Sequence, residues 1–184
     1  RQWLLFILSV CVIHGSFSQG NIIWPESLVN TGTNATMAIQ AENFSSITLE
    51  GYDSIPAGSL IGAFYNNGGS NYDCGGFTQW PNLNENFAFP VYGDDSETPS
   101  VQDGFVANGD PYIWFLRIDN NNGIGWTDYI GICPDDSCME SSDYFSETWV
   151  NNGFSNLVNV HFALYAEWTN CMDVSACNYN QAAT

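Results

Sequence analysis

The chain has no lysine. Two arginines, Arg1 and Arg117, face twenty acids in 184 residues, for a formal net charge of −18. Without lysine there is no Schiff-base chemistry and no P-loop, since both need an amine. A surface so negative repels nucleic acid and anionic lipid, which excludes both as partners. Histidine is nearly as scarce, with His14 and His161 alone. No H-E-x-x-H zinc helix and no G-x-S-x-G nucleophile elbow occurs. Arg117 is the only cationic clamp available to a charged substrate in the body of the chain. Most enzyme classes therefore lack their parts. The exception is the paired-carboxylate chemistry of glycoside hydrolysis, which acids alone can supply.

Long apolar runs are also missing, with one exception. Trp3–Ile13 (WLLFILSVCVI) is uncharged, too short to span a bilayer, and followed by Ser16-Phe17-Ser18, with small residues at the −3 and −1 positions of a cleavage site. This predicts a signal peptide over residues 1–18, with Gln19 as the first mature residue, and a secreted or cell-surface destination with no later membrane insertion. Residues 19–168 then form one domain of ordinary size. An acidic surface of this kind suits a salty medium, where screening shortens the reach of self-repulsion to roughly 3–8 Å. Five cysteines lie beyond the leader: Cys74, Cys133, Cys138, Cys171 and Cys177. Exported chains usually pair their thiols, so an odd number predicts a free thiol or a partner beyond Thr184.

Helix signals are sparse. Gly, Asn, Asp and Ser punctuate the sequence every few residues, and aromatic and β-branched residues fill the gaps. That pattern predicts an all-β fold: an antiparallel β-sandwich, jelly-roll or Ig-like, of about eight to ten strands. The expected strands are Thr36–Asn43, Leu60–Tyr65, Cys74–Trp80, Phe87–Tyr92, Tyr112–Ile118, Trp126–Ile132 and Phe145–Val150. Pro90 assigns Phe87–Tyr92 to an edge or a bulge, because proline cannot donate to the ladder. Asn67-Gly68-Gly69 and Asp119–Gly123 read as hairpin turns. Leu157–Trp168 alternates over twelve residues and reads as one long strand. It carries Val158, Val160, Phe162 and Leu164 on one face and places His161 on the solvent side.

Three groups of residues are candidates for function. Asp94, Asp95, Asp103 and Asp110, with Glu97, lie in a Gly- and Pro-bearing loop and offer the hard oxygen ligands that calcium takes. The competing reading is a solvated acidic loop. Trp80, Trp126 and Trp149 sit near strand ends and are candidate platforms for stacking on sugar rings, whereas Trp114 reads as core. Cys133 and Cys138 flank Pro134-Asp135-Asp136-Ser137, a turn-forming centre that a small disulfide would close.

The last residues, Cys171-Met172-Asp173-Val174-Ser175-Ala176-Cys177-Asn178-Tyr179-Asn180, resemble the start of a cysteine repeat of the C-x-D-x-x-A-C-N-Y-N type. Gly58–Tyr65, Cys74-Gly75-Gly76 with Trp80, Gly93-Asp94-Asp95 with Thr98-Pro99, and Asp103-Gly104-Phe105 resemble successive landmarks of a β-rich module. That module precedes such repeats in secreted multidomain surface proteins of marine Bacteroidota, which are substrates of type IX secretion. The resemblance implies an exported module followed by further domains, with residues 169–184 a truncated repeat whose third cysteine lies beyond the sequence. The function expected is adhesion or binding of an extracellular glycan or surface matrix, possible calcium stabilisation included. A ligand-free spacer and a carboxylate-dependent glycan hydrolase are the alternatives.

Overall fold

The computed structural model describes residues 21–67, 71–95, 101–106, 110–119, 125–134 and 137–165. The expected leader and the cysteine-bearing tail, with Cys171 and Cys177, lie outside the described residues.

Among the described residues ten strands form two sheets: β1 (Ile22–Ile23), β2 (Asn34–Ile39), β3 (Thr48–Leu49), β4 (Leu60–Asn66), β5 (Tyr72–Gln79), β6 (Phe87–Tyr92), β7 (Ile113–Asp119), β8 (Trp126–Ile132), β9 (Phe154–Asn156) and β10 (His161–Leu164). The larger sheet runs β1-β5-β4-β7-β8-β10-β3, and the smaller runs β6-β2-β9. The fold is an all-β sandwich. A 3-10 segment, Ala41–Ser46, follows β2. No helix among the described residues is long and apolar enough to cross a membrane.

The hairpins β4–β5 and β7–β8 are antiparallel, as short connections require. β4 and β7 also run antiparallel, with Ile61 facing Leu116 and Ala63 facing Trp114. The sheets are nevertheless mixed. β1 joins β5, β9 joins β2 and β10 joins β3 in parallel. Each of these pairs includes a strand of two or three residues and joins segments far apart in sequence, so no hairpin turn dictates its direction. Pro90 sits on β6, an edge of the smaller sheet, opposite Thr36.

The core lies between the sheets. Met37, Ile39 and Val91 from the smaller sheet meet Ile61, Trp114, Leu116 and Phe162 from the larger, all fully or almost fully buried. Gly76 lets the layers approach closely. A Cβ there would stand 2.4 Å from the Pro90 carbonyl oxygen and 2.9 Å from Val91 Cα. Gly93 leaves a hollow that the Trp149 ring fills, because a Cβ at Gly93 would meet that ring at 2.3 Å.

Three expected strands are corrected. Thr36–Asn43 ends early: β2 stops at Ile39, and Ala41–Ser46 is a 3-10 segment. Phe145–Val150 forms no strand; within it only Thr148 makes an isolated bridge, to Pro111. Leu157–Trp168 is not continuous. β9 ends at Asn156 in the smaller sheet, and β10 starts at His161 in the larger. Asn159 between them has a φ of 49°. That left-handed residue turns the chain from one sheet to the other, and its amide N–H donates to Ser46 Oγ at 3.2 Å. Leu157, Val160 and Phe162 are then all buried, although strict alternation would have put Leu157 on the opposite face.

Asn159→Val separates the two descriptions. In a continuous strand a β-branched residue would be neutral or favourable. At a left-handed corner it is expected to cost about 1–2 kcal/mol, while Asn159→Gly stays near the wild-type value. Urea unfolding of the three proteins checks this.

Candidate functional site

Arg117 organises the outer face of the larger sheet. It lies opposite Asp128 across β7 and β8. Its Nε donates to Asp128 Oδ1 at 2.6 Å and its Nη2 to Asp128 Oδ2 at 2.7 Å. The guanidinium carbon stands 5.1 Å from the ring centre of Trp24 and 6.0 Å from that of Trp126. Trp24 follows β1 and folds across the face, packing edge-on against Phe64 at 4.9 Å and Phe77 at 6.0 Å. Gly62 makes room for it, since a Cβ there would lie 3.2 Å from the Trp24 ring. Phe64 and Phe115 are thus buried on the side of the sheet away from the main core. Trp24 was not a sequence candidate. Its signal was the apolar Ile22-Ile23-Trp24 run ahead of Pro25.

The three tryptophan candidates have different fates. Trp126 is exposed, at 53%. Trp149 is core: its ring is buried, and its Nε1–H donates to the Val91 carbonyl at 3.0 Å. No face remains for a sugar, because Gly93 opposite it accepts the ring. Trp80 is also buried, but it lies in the floor of a cleft. Its ring packs with Phe44 at 4.9 Å and Phe87 at 5.4 Å. Trp114 is core, as expected.

The acidic loop folds on itself. Asp94 Oδ1 accepts the Asp103 amide at 3.0 Å, and Asp103 Oδ1 accepts the Asp95 amide at 3.4 Å. Asp110 Oδ2 accepts from Gln102 Nε2 at 2.8 Å and from the Val106 amide at 3.0 Å. The residues are neighbours, but no three His, Cys, Asp or Glu side chains among the described residues stand close enough to hold a metal ion. Backbone amides and the Gln102 side-chain amide donate to these carboxylates. Glu97 lies outside the described residues.

Cys133 and Cys138 form the expected disulfide, with Cα atoms 4.9 Å apart. Cys74 is unpaired among the described residues. Burial, helped by Asp73, pushes its thiol up to about 12. The thiol therefore stays protonated at neutral pH and offers no thiolate nucleophile. His161 is exposed on β10, and its Nδ1 lies 2.9 Å from Thr48 Oγ1.

Two clefts, of about 490 and 590 Å³, flank one ridge built from Tyr52, Pro56 and Ala57. Gly51, with φ of 76°, makes the tight turn that lifts Tyr52 out. Leu49 anchors this turn in the core, and the Tyr52 amide donates to its carbonyl at 3.2 Å. The Tyr52 ring is 46% exposed and meets Tyr129 edge-on at 6.4 Å. Burial, then contact with Tyr52, pushes the Tyr129 hydroxyl up to about 12. The ridge is tied to the cleft floor. The Gly58 amide donates to the Trp80 carbonyl at 2.9 Å, and the Trp80 amide to the Ser59 carbonyl at 2.7 Å. Asp119 borders the smaller cleft. Asp53, Asn82, Asn84 and Leu83 border the larger, and Leu83 is 67% exposed. None of these rim residues was a sequence candidate. Four separate stretches of chain build the clefts, and only the Gly51 turn hints at them.

No family model matches this chain, and no curated protein or solved structure matches it either.

Removing Arg117 strands a half-buried carboxylate. Arg117→Met is expected to cost about 2 kcal/mol, and Arg117→Lys to recover only part of it, since an ammonium cannot reproduce the two-pronged, stacked geometry. A double-mutant cycle with Asp128→Asn should give a coupling of about 1–2 kcal/mol. The acidic loop leads to a second expectation. Because Asp94, Asp103 and Asp110 already accept from amides within the loop, the melting midpoint should be the same in calcium and in chelator. A rise with calcium would show a cation bound to the native state.

Proposed function

We propose that this chain is a non-catalytic, exported module that binds an extracellular glycan in the clefts beside Tyr52. The observation that carries the proposal is the ridge itself: an exposed tyrosine ring above two clefts whose rims carry carboxylate and amide side chains. Such a surface suits a sugar, which presents apolar ring faces to aromatics and hydroxyls to Asp and Asn. Rigid support favours the same reading. Leu49, Tyr129 and the paired Trp80–Ser59 backbone hold the ridge in place, so little ordering opposes binding.

A non-catalytic role fits the scarcity of reactive groups. The Cys74 thiol stays protonated, His161 bonds to a threonine hydroxyl, and Arg117 is committed to Asp128. The spacer reading has one observation in its favour, the burial of Trp80, Trp114 and Trp149. Tyr52 and Trp126, both large and about half-exposed, run against it.

A glycan array probed with residues 19–168 tests the proposal. Binding of at least one glycan class is expected, with no release of reducing ends. Tyr52→Ala should weaken that binding by about tenfold or more, as loss of a stacking ring does, while leaving the melting midpoint nearly unchanged. Absence of any binder, or full binding by Tyr52→Ala, would contradict it.

A further inference from the structure

Resting on the glycan reading, we infer that the clefts select oligosaccharides free of sulfate and carboxylate groups, and favour those bearing amines. The argument is one of charge placement. Asp53 borders one cleft and Asp119 the other, and both are exposed. Glu50 stands just before the Gly51 turn, its Oε2 accepting the Leu164 amide at 2.9 Å. Recognition of an anionic sugar would need a cation to offset these acids, and a guanidinium fork is the usual one. Arg117 is the only lysine or arginine among the described residues. It is on the same strand as Asp119, yet its Nε–Nη2 edge is taken by Asp128, and its guanidinium carbon stands 5.1 Å and 6.0 Å from the ring centres of Trp24 and Trp126. No lysine or arginine is among the residues that line the two clefts. The net charge of the whole chain adds a repulsive field of the same sign. Uncharged sugars avoid this penalty, and a protonated amino sugar gains from it.

The test compares three ligands of equal length on the full chain: a neutral oligosaccharide of the class bound on the array, its sulfated derivative, and its amine-bearing analogue. Titration is done at pH 6, where the amine is protonated, first in low salt and then in 0.5 M salt (values chosen to span roughly 10 Å and 4 Å of screening). At low salt the sulfated ligand should bind about tenfold or more weakly than the neutral one, and the amine-bearing ligand severalfold more tightly. Salt should shrink both differences. Asp53→Asn with Asp119→Asn should narrow the gap between neutral and sulfated ligands. Equal or tighter binding of the sulfated ligand would overturn the charge selection and leave the glycan reading standing. If no ligand of any charge binds, both fall together.

Discussion

The structure depends on how one guanidinium is held. Arg117 lies on β7, the strand at the centre of the larger sheet, and both faces of that strand are covered. Trp114, Leu116 and Ile118 turn inward to the core. Phe115 and Arg117 turn outward, Phe115 packing edge-on against Phe64 and Arg117 lying against Trp24. A cation on that face would be costly if left alone. Bidentate bonding to Asp128 and the two flanking indoles make it tolerable, and the stack in turn fixes Trp24 and the short β1 strand above Phe64. The sheet is thereby closed on the side that would otherwise expose a broad apolar surface.

The same commitment determines where binding chemistry can occur. With its one strong base occupied, the described surface offers ligands only carboxylates, amides, hydroxyls and a few aromatic rings. Those groups converge beside Tyr52, where the turn at Gly51 and the stretch around Trp80 face each other across the end of the sandwich. The acidic loop is a different kind of feature. Its carboxylates bind backbone amides and shape the segment that carries Gly93 and Phe105. The landmarks Gly75-Gly76, Gly93 and Gly104-Phe105 accordingly read as packing devices. They let β5, β6 and the Trp149 ring approach one another, and they carry no ligand chemistry of their own.

Much of the fold was legible from local pattern. β4, β7 and β8 stand out as apolar or aromatic runs between turn residues, and Pro90 placed β6 at an edge before any pairing was known. What escaped were features that depend on distant partners. Alternation across Leu157–Trp168 could not reveal that Asn159 adopts a left-handed conformation, because asparagine is compatible with both shapes. The burial of Trp149 depends on the hollow at Gly93, far away in sequence. The site was less legible than the fold. Of the tryptophan candidates only Trp126 is exposed, and Tyr52 gained its significance from segments that the fold brings together.

A ligand seated beside Tyr52, as proposed, leaves the Arg117 stack untouched. Side-chain and amide NMR during titration with a neutral oligosaccharide tests this most directly. Resonances of Tyr52, Asn82 and Asn84 are expected to shift with a common saturation curve, while Arg117 Nε–H and the Trp126 indole N–H stay in place. Shifts at Arg117 and Trp126 with Tyr52 unmoved would contradict it and transfer the site to the outer face of the sheet.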